Sequence, residues 1–143
     1  MVRFKNRYLL VEVDPCFEGA AAGSMPAGSF SPSAIAALLR DSLETNFGIT
    51  AAAKAQQAFS VKYANAGTRM VILRTARDML EEVWASLCLL STLSSGGDRW
   101  RWRVVQVAGT IRSCHQAAIR HARRRLKTEP SAQLVSQIQA IEA

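Results

Sequence analysis

The chain has 143 residues, 49% of them hydrophobic and 20% charged, which suits one globular domain and leaves too little chain for two. Eighteen Lys and Arg against eleven Asp and Glu give a net charge of +7, so an anionic partner is expected, nucleic acid first and a membrane surface second. The opening MVRFKNRYLLVEVD lacks the apolar run and small-residue cleavage site of a signal peptide, and no apolar run reaches spanning length; the expectation is an intracellular protein with no membrane partner.

Residues 3–13, RFKNRYLLVEV, are rich in β-branched and aromatic types and predict a first strand, with Arg3, Lys5 and Arg7 alternating along it. Residues 14–31 combine Asp-Pro with glycines, prolines and small residues, the composition of a flexible surface loop. Ser31-Pro32 then places an N-cap before proline at the first helical position. Ile35, Leu39, Leu43 and Phe47 follow at spacings of four until Gly48 stops the helix. Residues 50–57, TAAAKAQQ, are ambiguous between a short helix and a lead-in to a strand. Phe59, Val61 and Tyr63 alternate with Ser60, Lys62 and Ala64 in a second strand; Asn65-Ala66-Gly67 turns the chain, and Arg69 to Thr75 form the third strand of a hairpin. Thr75 with Asp78 resembles a capping box, and Leu80, Val83, Trp84, Leu87 and Leu90 or Leu93 outline a second core-facing helix.

Half of the basic residues, nine of eighteen, lie between Arg99 and Lys127, a stretch with no Asp or Glu. Arg99, Arg101 and Arg103 alternate with Trp100 and Trp102, the period that puts arginines on one face of a strand and tryptophans on the core face. Gly109 and Thr110 read as a strand end and a helix N-cap. Ile111, Cys114, Ala118, Ile119, Ala122 and Leu126 then recur at helical spacing. Arg112, Gln116, Arg120, Arg123 or Arg124, and Lys127 form a basic stripe opposite them. Such a stripe is tolerable when solvent screens it or a polyanion neutralises it. With no interleaved acid to form i,i+4 pairs, and with arginine outnumbering lysine fourteen to four, RNA or DNA is the better reading. Beyond Glu129-Pro130, Leu134, Ile138 and Ile141 suggest a short terminal helix, so residues 1–128 are read as one RNA-binding domain and 129–143 as a helical extension.

The order strand, helix, strand, strand, helix, strand, helix predicts an α+β protein of the ferredoxin-like, split βαβ type. One antiparallel four-stranded sheet carries helices on one face, C-terminal helices follow, and the other face is left available. RNA-recognition modules share this plan, but their aromatic run on the third strand is missing from RMVILRT, so base stacking in that manner is not expected.

Four stretches carry a more specific resemblance: MVRFKNRYLLVEV, FSVKYANAGTRMVILR, LEEVWASL and VAGTIRSC. They resemble the Pop-five family, small basic protein subunits of ribonuclease P and ribonuclease MRP. The Ala/Gly/Ser-rich loop at 14–31 and the terminus after Lys127 depart from that pattern. The resemblance implies a ferredoxin-like sandwich, a TIM-barrel-like Rpp-thirty partner among other holoenzyme proteins, and a nuclear, nucleolar location. It also implies support of a catalytic RNA that itself cleaves precursor tRNA or precursor ribosomal RNA, with magnesium on the RNA and no cofactor on the protein. RNA contact is then assigned to Arg3, Lys5, Asn6, Arg7, Lys62, Asn65, Arg69, Arg74, Thr110, Arg112, Arg120, Arg123 and Arg124.

No catalytic or metal-binding residue is assigned. The only histidines, His115 and His121, lie six apart on one predicted helix, about 600° round it, and do not converge. Cys114 beside His115 is not a nucleophile–base pair, since helical neighbours point about 100° apart. Cys16, Cys88 and Cys114 are odd in number and lack CxxC spacing, which favours buried free thiols over disulfides or zinc. Two competing functions follow from other features. One is an autonomous metal-dependent nuclease using Asp78, Glu81 or Glu82, although the macrodipole alone favours acids in a first helical turn. The other is a protein–protein adaptor whose arginines only confer solubility.

Overall fold

A computed structural model describes residues 5–16, 30–91, 99–128 and 141. Its elements are β1 (Asn6–Pro15), α1 (Pro32–Phe47), α2 (Ile49–Ala58), β2 (Ser60–Asn65), β3 (Met70–Ala76), a 3-10 turn over Arg77–Met79, α3 (Leu80–Leu89), β4 (Trp100–Ala108) and α4 (Ile111–Thr128). The sheet order is β2-β3-β1-β4 with every neighbouring pair antiparallel. β1 and β2 are thus split by β3, as the ferredoxin-like plan requires.

Period-two alternation divides β1 between two cores. Leu9, Val11 and Val13 pack with Ile35, Leu39 and Leu43 of α1, Ala52 and Ala55 of α2, and Val83 and Leu87 of α3. Trp100 and Trp102 join this core, as their alternation with the arginines predicts, and are 5% and 4% exposed. Each fully buried Leu, Ile or Val contributes about 1.5–3 kcal/mol, which makes this layer the main stabilising one. Inside it Ser42 Oγ on α1 donates to the Ser86 carbonyl of α3 at 3.1 Å.

The second face of the sheet is not left available. Leu10, Met70, Ile72 and Ala108 pack beneath Cys114, Ala117, Ala118 and Ala122, so α4 lies across it. The small residues on the underside of α4 let the helix approach the strands closely.

Local signals decide most boundaries. Ser31 Oγ accepts the Ala34 N–H at 3.2 Å with Pro32 at the first helical position, and the Gly48 N–H closes α1 on the Glu44 carbonyl. Gly48 has φ 87° and ψ 171°, backbone that essentially only glycine adopts, and it separates α1 from α2. The ambiguous segment after it is therefore a helix, stabilised by burial of Ala52 and Ala55 rather than by its own length.

Three further expectations need correction. Thr75 does not cap the next helix: it is buried, its hydroxyl donates to the Ala76 carbonyl, and the 3-10 turn beginning at Arg77 intervenes. Trp84 does not face the core: it is 41% exposed, and Ser86 takes the buried position beside Val83 and Leu87. Tyr63 does not share a face with Val61, because the register shifts between them; Val61 stays against the α1 side while Tyr63 packs on the α4 side. β1 also runs two residues into the predicted loop. The remainder of that loop and the terminal helix, Ile141 apart, lie outside the described residues.

Candidate nucleic-acid interface

The basic helix forms where its apolar spacing places it, and Thr110 caps it: Thr110 Oγ1 accepts the Ser113 N–H and the Thr110 carbonyl accepts the Cys114 N–H, both at 3.2 Å. Buried Cys114, Ala117, Ala118 and Ala122 define its inner face. Arg112, Gln116, Arg120, Arg123, Arg124 and Lys127 are exposed on the outer one. Arg112, Arg120 and Arg124 have no carboxylate partner among the described residues. At 1.5 Å rise per residue the row from Arg112 to Arg124 is about 18 Å long, enough to follow several successive phosphates.

The inner flank carries the opposite chemistry. Glu12 and Asp14 alternate with Val11 and Val13, so both point to the α4 side of β1, where Glu12 sits directly opposite Arg103 and Asp14 opposite Arg101 on β4. Glu12 is 4% exposed at its side chain. It accepts a hydrogen bond from Arg103, and its Oε1 lies 3.1 Å from both Arg125 and His121 Nε2 of α4. Asp14 lies 3.6 Å from Arg101, 3.8 Å from Arg125 and 3.9 Å from Arg69. Arg125 also donates to the Thr68 carbonyl at 3.3 Å, tying the end of α4 to the β2–β3 turn.

Burial alone would raise the Glu12 pKa. Contacts with His121 and Arg103, and the charges of His121 and Arg125, outweigh it and hold the carboxyl at about 2. Glu12 is therefore an anion at all physiological pH values. The stretch around α4 is free of acids in sequence, but its cations find acids across the sheet. The spacing of Glu12 and Asp14 two apart in an apolar strand, matched by Arg101 and Arg103 two apart in another, was the available signal.

The remaining predicted contacts are scattered. Lys5 and Lys62 are exposed, Lys62 at the irregular point of β2, while Asn6 and Arg7 are half-buried and Arg7 donates to the Asn6 carbonyl. Asn65 Oδ1 accepts from the N–H groups of Gly67 and Thr68, at 2.8 and 3.3 Å, so it shapes the turn. Arg69 adopts φ 55° and points into the Asp14 network. Arg74 is half-buried on β3 opposite Tyr8. Arg3 lies outside the described residues.

Asp78 occupies the 3-10 turn and Glu81 and Glu82 the first turn of α3; among the described residues no group of three or more His, Cys, Asp or Glu is placed to hold a metal ion. His115 is exposed whereas His121 is held beside Glu12, so the two histidines serve different surroundings. Among the described residues no helix is long and apolar enough to cross a membrane.

Known proteins are similar to this chain in sequence and in architecture. Residues 7–119 match the Rpp14/Pop5 family. The mouse (Mus musculus) ribonuclease P/MRP protein subunit POP5 is 34% identical over 128 residues, covering 88% of this chain and 72% of that protein. Its Schizosaccharomyces pombe counterpart is 36% identical over 122 residues, covering 83% and 86%. A chain in the cryo-EM structure of yeast ribonuclease MRP superposes with a TM-score of 0.58 at 11% identity, covering 90% of this chain and 98% of that one, a likeness of fold. With the match spanning most of its length, the chain belongs to the Rpp14/Pop5 family.

Proposed function

We infer that the chain is a protein subunit of ribonuclease P/MRP that binds the RNA of the particle and does not itself cleave it. Its relatives bear that subunit name, and the outward row Arg112, Arg120 and Arg124 is the observation that carries the RNA-binding role. Three exposed guanidiniums on one rigid helix, beside a capped N-terminus and without a carboxylate partner among the described residues, suit phosphates of an RNA backbone. The chemistry of cleavage then belongs to the RNA and its magnesium. In this reading the substrates are precursor tRNA and precursor ribosomal RNA, the neighbouring protein is a TIM-barrel-like Rpp-thirty subunit, and the site of action is the nucleus and nucleolus.

Reconstitution of the ribonucleoprotein with Arg112→Ala and with Arg112→Lys tests the reading. A bidentate phosphate clamp loses affinity in both variants, whereas Lys restores a diffuse attraction. If neither these changes nor Arg120→Ala with Arg124→Ala weakens RNA binding or lowers its salt dependence, the RNA-binding role is wrong. Multiple turnover of precursor tRNA by the purified protein alone would refute the non-catalytic role.

A further inference from the structure

Among the described residues, carboxylates divide seven arginines of this protein into two sets. Arg69, Arg101, Arg103 and Arg125 surround Glu12 and Asp14 on the sheet side of α4, while Arg112, Arg120 and Arg124 face away from them. Two of the first set are open to solvent, whereas Arg69 and Arg125 are largely covered: the Arg101 and Arg103 side chains are 63% and 55% exposed, so RNA could reach both. Each is nevertheless matched to an acid on the facing strand at the same register position. A carboxylate fits a guanidinium fork as a phosphate oxygen pair does, so Glu12 and Asp14 compete with RNA for these arginines.

On this basis we propose that Glu12 and Asp14 are specificity determinants for RNA. They act as internal stand-ins for phosphate that neutralise the sheet-side arginines and confine RNA to the outer face of α4. The inference rests on the RNA-binding role given above. Affinity from Lys and Arg is largely sequence-independent, so a protein with every cation available would hold any polyanion in several poses. Two built-in acids remove the competing poses on the sheet side of α4 and leave the arginines of its outer face the more available. Their position is stringent: β1 supplies both carboxylates from successive residues of one strand face, and α4 returns His121 and Arg125, one turn apart, onto Glu12.

Full-length protein is titrated with the particle's own RNA and with a random-sequence RNA of equal length over a salt series. Asp14→Asn is the first variant, because Asp14 is only partly buried and its loss leaves the Glu12 contacts in place. Glu12→Gln is the second, with melting temperature recorded for both. Expected are tighter binding of the random RNA, a salt slope steeper by roughly one to two units as one or two cations become available, and a lower preference for the particle's RNA. Unchanged slope and preference in the folded Asp14→Asn protein, with only a lower melting temperature, would overturn the proposal and leave the acids as structural. The Arg112→Ala, Arg120→Ala double variant separates the two levels. If it binds RNA like the parent, the RNA-binding role itself fails; if it weakens binding while Asp14→Asn changes nothing, only the specificity role of the acids fails.

Discussion

Glu12 Oε1 on β1 lies 3.1 Å from Arg125 on α4, so the last turns of the most basic helix are anchored to the first strand through a carboxylate that is 4% exposed. This contact makes α4 an integral layer of the fold. It also ties the stability of the protein to pH.

The Glu12 pKa is held at about 2, against an ordinary value of 4.5, so the folded state binds this proton more weakly than the unfolded state does. The resulting stabilisation is fully present above about pH 4.5 and is lost as pH falls towards 2, and it amounts to roughly 3 kcal/mol. Urea unfolding from pH 7 to pH 2 should show this loss in the parent. In Glu12→Gln the protein should be less stable at pH 7 and the acid-induced loss smaller by a similar amount. Parallel curves for the two proteins would contradict the assignment.

Trp102 and Trp84 separate a core tryptophan from a surface one. Trp102→Ala removes a ring that is 4% exposed and should cost on the order of 3–5 kcal/mol. Trp84→Ala removes one that is 41% exposed and should change stability by about 0.5 kcal/mol or less. Denaturant midpoints of equal size for the two variants would show that the faces are misassigned.

Gly48 joins α1 to α2 with φ 87° and ψ 171°, and a Cβ added there would meet no atom within 4 Å. The cost of Gly48→Ala is therefore one of backbone conformation, not of collision, and should be about 1–3 kcal/mol. A variant as stable as the parent would mean that the two helices join through a different backbone.

Cys114 is buried on the inner face of α4, and burial pushes its thiol up to about 11, so at neutral pH it is protonated and inaccessible. Cys16 and Cys88 are exposed. A thiol reagent should modify two cysteines of the native protein quickly and the third only on unfolding, counted by intact-protein mass. Rapid labelling of Cys114 in folded protein would show that α4 opens readily. The expectation of three buried thiols held for one of them.

Residues close in the chain determined what the sequence by itself could determine. The Ser31 and Thr110 caps, the Gly48 stop, the alternation that buries Trp100 and Trp102, and the outward stripe of α4 each depend on neighbours within one or two turns or on strand period. The order of these elements was enough to specify the ferredoxin-like plan, and the four quoted stretches were enough for the family. What the tertiary structure decided involves residues that are far apart in sequence. One shifted register step in β2 sends Tyr63 to the opposite face from Val61, and the alternation of side chains continues in sequence as though nothing had happened. Ser86 falls on the helix face that α1 covers and Trp84 outside it, and size or hydrophobicity alone assigns them the wrong way round. The partners of Arg101, Arg103 and Arg125 come from β1, whose pairing with β4 is set only when both strands enter one sheet. An ion pair is a relation between two positions in space, and the charge of a segment does not say which of its members an acid elsewhere in the chain will neutralise.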